Sequence, residues 1–216
     1  MIGISLLVAM QKPKIAADAR TNPDDYGGLY RAVRAGDLKK VQNMLGRGMD
    51  IERTYMDGES LLMAAAATNS LAMVRFLVDR GAKVDRSDSF GCTAFSMAAF
   101  DFGPAADYLL KHGAKMDGAP GGRPPIVDAA DRGKLANVRR LLDLGAKIDA
   151  REPFNGETAL MKASYRKNYP ILRLLLDRGA NPTLVSRKGK SALGLAREVK
   201  ASQIVAALRE HSGSRK

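Results

Sequence analysis

A single cysteine, Cys92, stands in 216 residues, so no disulfide can form within the chain and the redox compartment stays open. With only two histidines, His112 and His211, no cluster has zinc-ligand spacing, and neither a metal nor another cofactor is expected. Tryptophan is absent and aromatic residues make up 6% of the chain. The apolar content is mostly Ala, Leu, Val and Met, which suits close helix packing rather than large aromatic-filled cavities. A membrane-spanning helix needs about 20 apolar residues; the run 1–10 is too short and no later run qualifies. No catalytic constellation is present either. Neither histidine has a nucleophile or partner recurring near it, and Gly121-Gly122 leads into Arg-Pro-Pro without the strand, spacing or Lys-Ser/Thr of a phosphate loop. A non-enzymatic, mainly helical chain is expected.

What the sequence does contain is a period. The stretch 57–81, DGESLLMAAAATNSLAMVRFLVDRG, opens on a turn dipeptide, runs through an alanine-rich helical segment that breaks at Asn69, and continues into a second apolar helical segment. Gly58, Gly91, Gly122, Gly156 and Gly189 open successive copies at intervals of 33, 31, 34 and 33 residues, while Gly48, Gly81, Gly113, Gly145 and Gly179 close them. A period near 33 residues predicts a stacked repeat array rather than a globule around one core. Ala65, Ala98, Ala129, Ala163 and Ala196 recur on the first helix, where neighbouring units must approach closely. Val74, Leu77, Val138, Leu141, Leu142, Leu172 and Leu175 give the second helix a stripe to bury.

The periodicity divides the chain into six units over 29–211: 29–56, 57–88, 89–119, 120–153, 154–186 and 187–211. Gly36, Asn69, Gly133 and Lys167 fall at the turn between the two helices, and the third unit has lost one residue near Asp101 and Phe102. Residues 1–28 form an extension. Its apolar run, followed by Lys12, Lys14 and Ala17-Asp18-Ala19, is either a secretory signal over 1–19 or a helical or disordered segment; the first implies export or periplasm, the second cytoplasm. Residues 212–216 are a basic tail. Of the net charge of +12, half resides in residues 186–216, which hold eight basic residues against two acidic ones.

These opening and closing lines resemble the ankyrin repeat, whose pattern is a glycine, Thr-Pro-Leu-His, paired alanines, a glycine turn, an apolar second helix and a closing Gly-Ala. The Thr-Pro-Leu part survives as Ser60-Leu61-Leu62, Thr93-Ala94-Phe95, Pro124-Pro125-Ile126, Thr158-Ala159-Leu160 and Ser191-Ala192-Leu193. The resemblance implies an all-α solenoid of stacked helix-turn-helix units with projecting β-hairpin-like connectors, acting as a monomer that binds a protein. The family's histidine is replaced in every full copy, by Met63, Ser96, Val127, Met161 and Gly194, which implies weaker coupling between repeats.

Function is then expected on the surface that does not repeat. Asp50, Asp85, Asp117 and Asp149 recur at one position before the connector, and a residue repeated by the scaffold serves the scaffold. On the connectors, Tyr55, Met56, Phe90, Pro153 and Phe154 are large or apolar residues at tips, each either an interface anchor or folded back on its neighbour. Along the ends of the first helices, the resemblance implies a concave partner-binding face bearing Phe100, Asp101, Asp131, Arg132, Tyr165 and Arg166. Two other readings stay open. The basic last unit could hold nucleic acid or an anionic membrane surface, although its cations are not interleaved with stacking aromatics, or the array could be a structural spacer in a larger assembly.

Overall fold

The computed structural model describes residues 26–213; the expected signal segment and the end of the basic tail lie outside them. Twelve helices follow in six pairs: α1 (Tyr26–Arg34) and α2 (Leu38–Gly46), α3 (Leu61–Ala67) and α4 (Leu71–Asp79), α5 (Ala94–Ala98) and α6 (Pro104–Lys111). The later pairs are α7 (Pro125–Asp131) and α8 (Leu135–Asp143), α9 (Ala159–Tyr165) and α10 (Tyr169–Asp177), α11 (Ala192–Glu198) and α12 (Ser202–Gly213). The first helix starts at Tyr26, ahead of the expected boundary at Leu29, because the Tyr26 ring is buried and its hydroxyl donates to the Arg53 carbonyl. The described residues contain no β-strand. The connectors are hairpin-like only to the extent of isolated antiparallel bridges, Ser87 with Thr93 and Val185 with Ser191. No described helix is long and apolar enough to cross a membrane.

Each sequence signal has a hydrogen bond behind it. Ser60, Thr93, Thr158 and Ser191 cap the first helices by accepting from the N–H groups of Met63, Ser96, Met161 and Gly194, a contact that stabilises a helix by about 1 kcal/mol. Pro124 stands at that position in the fourth unit, so α7 begins without a side-chain cap. The closing Gly-Ala works through backbone geometry. Gly81, at φ 87°, turns the chain so that the Ala82 N–H donates back to Leu77 O, and Ala114, Ala146 and Ala180 do the same to Leu109, Leu141 and Leu175. The recurring aspartates tie units together: Asp85, Asp117 and Asp149 accept from the backbone N–H groups of Lys115, Lys147 and Asn181 at 2.9, 3.1 and 3.1 Å.

Between paired helices one residue per unit adopts a left-handed conformation: Gly36, Asn69, Phe102, Gly133, Lys167 and Lys200. In five units the next N–H then reaches back into the first helix, as from Ser70 to Ala65 O, Lys134 to Ala129 O and Asn168 to Ala163 O. The third unit lacks this closure. There the Phe102 N–H bonds Ala98 O, and α5 stops after 5 residues where α3, α7, α9 and α11 have 7. The residue missing from this unit is lost beyond the turn rather than at Asp101 and Phe102, since α6 has 8 residues where α4, α8 and α10 have 9.

The stack is correspondingly uneven. First helices pack along one another from α1 to α3 to α5 and again from α7 to α9 to α11, over a continuous layer that buries all five recurring alanines. Between α5 and α7, and between α6 and α8, the helix backbones approach less closely, although buried side chains such as Phe95, Phe102, Ile126 and Val138 carry the apolar core across the boundary. Polar clips also span this seam. Asn137 Nδ2 donates to Ala99 O and Phe100 O at 2.9 Å each, and Arg140 Nη2 lies 2.5 Å from Asp107 Oδ1. At the connector end Gly91 and Gly122 meet backbone to backbone, so closely that a Cβ on Gly122 would lie 2.1 Å from Gly91 O.

Candidate functional site

Counted from each opening glycine, the residues one, six and nine places on change chemistry from unit to unit while their flanks repeat: Cys92, Met97 and Phe100, then Arg123, Asp128 and Asp131, then Glu157, Lys162 and Tyr165. The structure brings them onto one face, because they line two adjacent surface clefts. The face has two halves. Ala67, Met97 and Phe100 make its N-terminal half apolar, whereas the fourth and fifth units fill theirs with an ionic cluster.

Glu152 is the centre of that cluster. It is 6% exposed, takes Lys162 Nζ on Oε1 at 3.2 Å, and lies 3.2 Å from Arg123 Nε on Oε2, an ionic contact without hydrogen-bond geometry. Lys162 also meets Glu157 at 2.5 Å, and Arg123 reaches Asp128 at 3.1 Å and Asp131 at 2.6 Å. Asp131 accepts in addition from Arg166 Nε at 2.7 Å. Burial alone would raise the Asp131 pKa, but its hydrogen bonds from Arg166 and Arg123 outweigh that and hold it below the ordinary carboxylate range. Burial likewise opposes the charge on Lys162, yet Glu157 and Glu152 raise its pKa above that of an ordinary lysine.

A pH dependence follows with a definite sign. A carboxylate whose folded pKa is depressed contributes stability above its unfolded pKa, about 3.9 for Asp, and loses that contribution as pH falls through the folded value. The denaturation midpoint is therefore expected to drop on acidification below that range, and Asp131→Asn is expected to flatten the drop. Equal acid sensitivity in Asp131→Asn and wild type would assign it to other carboxylates.

The residues expected at the tips are exposed: Met56 by 71%, Phe90 by 60% and Phe154 by 74%. Tyr55 is partly folded back, its ring stacked on Tyr30 at 4.2 Å with 37% left exposed. At the helix ends Phe100 is exposed at its edge, with the Arg132 guanidinium over one face at 4.4 Å and Lys134 Nζ at 5.6 Å. Asp101 is exposed and 3.9 Å from Lys134, and exposed Tyr165 lies under Arg166 at 5.8 Å. Arg132 uses Nε on Asp128 at 2.7 Å. Asp131 is not free surface, being enclosed between Arg123 and Arg166. Sequence reasoning missed Arg123, Glu152, Lys162, Lys134 and Asn137, although the varying first and sixth places of each unit point to Arg123 and Lys162. Among the described residues no three acidic, histidine or cysteine side chains are grouped to hold a metal.

The family model described as "Ankyrin repeats (3 copies)" matches residues 29–119 and again 126–216. A putative ankyrin repeat-containing protein of Treponema pallidum is 29% identical over 81% of this chain, which spans 59% of that relative's length. A chain in the complex of the predatory endopeptidase Bd0816 from Bdellovibrio bacteriovorus with immunity protein Bd3460 superposes with a TM-score of 0.71 and 27% identity, over 84% of this chain and 96% of its own. An ankyrin repeat domain from Acinetobacter baumannii AYE gives the same score and identity over 87% of this chain and 99% of its own. With paired helices, left-handed turns and Gly-Ala closures in the same register, and with both halves of the array matched, the chain belongs to the ankyrin-repeat family.

Proposed function

We propose that this chain is a protein-recognition module with no enzymatic activity of its own, binding its partner through the face of the first helices and the connector tips. The observation that carries this reading is the set of exposed large apolar side chains on the first, third and fifth units, Tyr55, Met56, Phe90, Phe100, Phe154 and Tyr165. Aromatic side chains held on a rigid scaffold provide contact area at low ordering cost and are enriched among the residues that dominate binding energy. The ankyrin chain of the Bdellovibrio complex, which is itself bound to a partner protein, supports the same reading by likeness.

A second reading has its own observation. In the sixth unit Arg187, Lys188, Arg197, Lys200 and Arg209 have no ionic partner among the described residues, and Lys190 alone of its cations is paired, to Glu198. That charge suits an anionic surface, and one experiment separates the two. The chain is used as bait in its source cells beside a variant with Tyr55, Phe90, Phe154 and Tyr165 all changed to Ala, each capture repeated after nuclease and at raised salt. Retention of a protein by wild type and its loss from the folded variant is the expected result. Capture that ignores the aromatic changes and vanishes with nuclease or salt would replace protein recognition with electrostatic binding.

A further inference from the structure

The seam between the third and fourth units opens on the varying face into a cleft of about 250 Å³. One wall comes from α3, α5 and the turn after α5, with Ala67, Met97 and Phe100; the other comes from α7, with Pro125 and Ala129. The neighbouring cleft on this face, in the C-terminal half, is lined mainly by charged side chains, Asp131, Glu157, Lys162 and Arg166 among them, so the cleft at the seam is the apolar one.

This gap is held open by specific contacts. Phe102 adopts φ 45°, a region that costs a bulky L-residue about 1–2 kcal/mol, and it persists because its ring is buried edge-on to Phe95 at 6.1 Å and under Arg140 at 4.8 Å. Early termination of α5 frees the Ala99 and Phe100 carbonyls, and Asn137 from the opposite side takes both. The walls are thus fixed before anything enters.

The rim supplies the charge. Arg132, Lys134 and Arg123 line the cleft against one carboxylate, Asp128. Arg132 commits only Nε, to Asp128, and Lys134 is only loosely paired at 3.9 Å from Asp101, so both cations keep donors for an incoming group. Phe100 is already covered by Arg132 on one face, which makes the cleft a poor platform for stacking bases. We infer that the cleft seats a large apolar side chain from an acidic segment of the partner protein, with a neighbouring carboxylate of that segment paired to Lys134 and Arg132. This rests on the protein-recognition reading above and names the chemistry of the partner's anchor.

The test uses the full chain as the target for selection from random-sequence displayed peptides. Selected peptides are expected to share a large apolar residue close to Asp or Glu. Their affinity is expected to fall by about tenfold or more in Ala67→Arg, which puts a long side chain into the cleft from an exposed rim position, and in Lys134→Glu. Leu144→Ala, at an exposed apolar residue closing α8 and outside the cleft, is expected to leave binding unchanged, and circular dichroism confirms that each variant is folded. Enriched peptides that are basic or lack an apolar anchor, that bind Ala67→Arg as tightly as wild type, or that fail to emerge at all would overturn the proposal. Peptides that lose affinity with Phe90→Ala or Phe154→Ala instead would overturn the cleft while leaving protein recognition standing.

Discussion

Changing Glu152 to alanine is expected to lower the unfolding free energy by about 3 kcal/mol, the lower part of the range for removing one partner from a buried ion pair. The loss arises from the charges left behind. Lys162 has its side chain 12% exposed, and without Glu152 it keeps only Glu157; Arg123 loses the contact to its otherwise unpartnered Nε. Desolvation is then less well offset at both cations, Arg123 keeping only Asp128 and Asp131 and Lys162 only Glu157. The cluster joins the fourth unit's Arg123 to the fifth unit's Lys162, so the damage falls on the contact between units as well as within them. Denaturant titration measures the change, and the double variant Glu152→Ala with Lys162→Met is expected to recover most of it by removing the orphaned charge. A single-variant loss well under 1 kcal/mol would mean that water already screens the cluster.

The second large effect is expected from Gly122→Ala, at about 1–3 kcal/mol and with a change in the shape of the transition. A Cβ there would meet Gly91 O at 2.1 Å, the Gly91 carbonyl carbon at 2.9 Å and Ala119 O at 3.1 Å, all backbone atoms that have no rotamer to turn away. Relief requires the two connector tips to separate, at a seam where the helix backbones approach least closely. Unfolding of a repeat array is a sum of unit and neighbour terms, so weakening the smallest neighbour term is expected to split one transition into two. Hydrogen exchange should then protect residues 26–119 and 126–213 to different extents. Gly46→Ala, with nothing within 4 Å of the added methyl, is the matched control and is expected to leave the single transition intact.

The paired helices, their turns and the closing glycines are legible in the sequence because each rests on a local backbone requirement that recurs in every copy. Asn69 and Lys167 could be placed at inter-helix turns from spacing alone, and both have positive φ. The tips are legible for a related reason, since a large apolar residue beside an opening glycine has no core position to occupy. Glu152 is not legible, because its partners Arg123 and Lys162 come from two separate segments and nothing in its own unit repeats it. The seam is visible only as a short interval of 31 residues before Gly122. That interval shows that something is irregular between the third and fourth units, but the consequence, α5 and α7 standing apart, depends on how two helices meet rather than on either sequence. The missing family histidine does not mark the seam, because it is absent from every full copy, whereas the close approach of the first helices is interrupted between the third and fourth units.

That boundary also bears on how such an array changes in length. Extending a tightly stacked solenoid in its middle means remaking a buried apolar layer on both sides of the insert. At the seam, where the helix backbones approach least closely, a newcomer would have to satisfy Asn137, Arg140 and one pair of glycines and remake a smaller helix-to-helix contact. The junction around 119–125 is therefore where this chain can accept an additional unit or exchange one half for another at least cost to the remainder, and each half arrives with its own three repeats already packed.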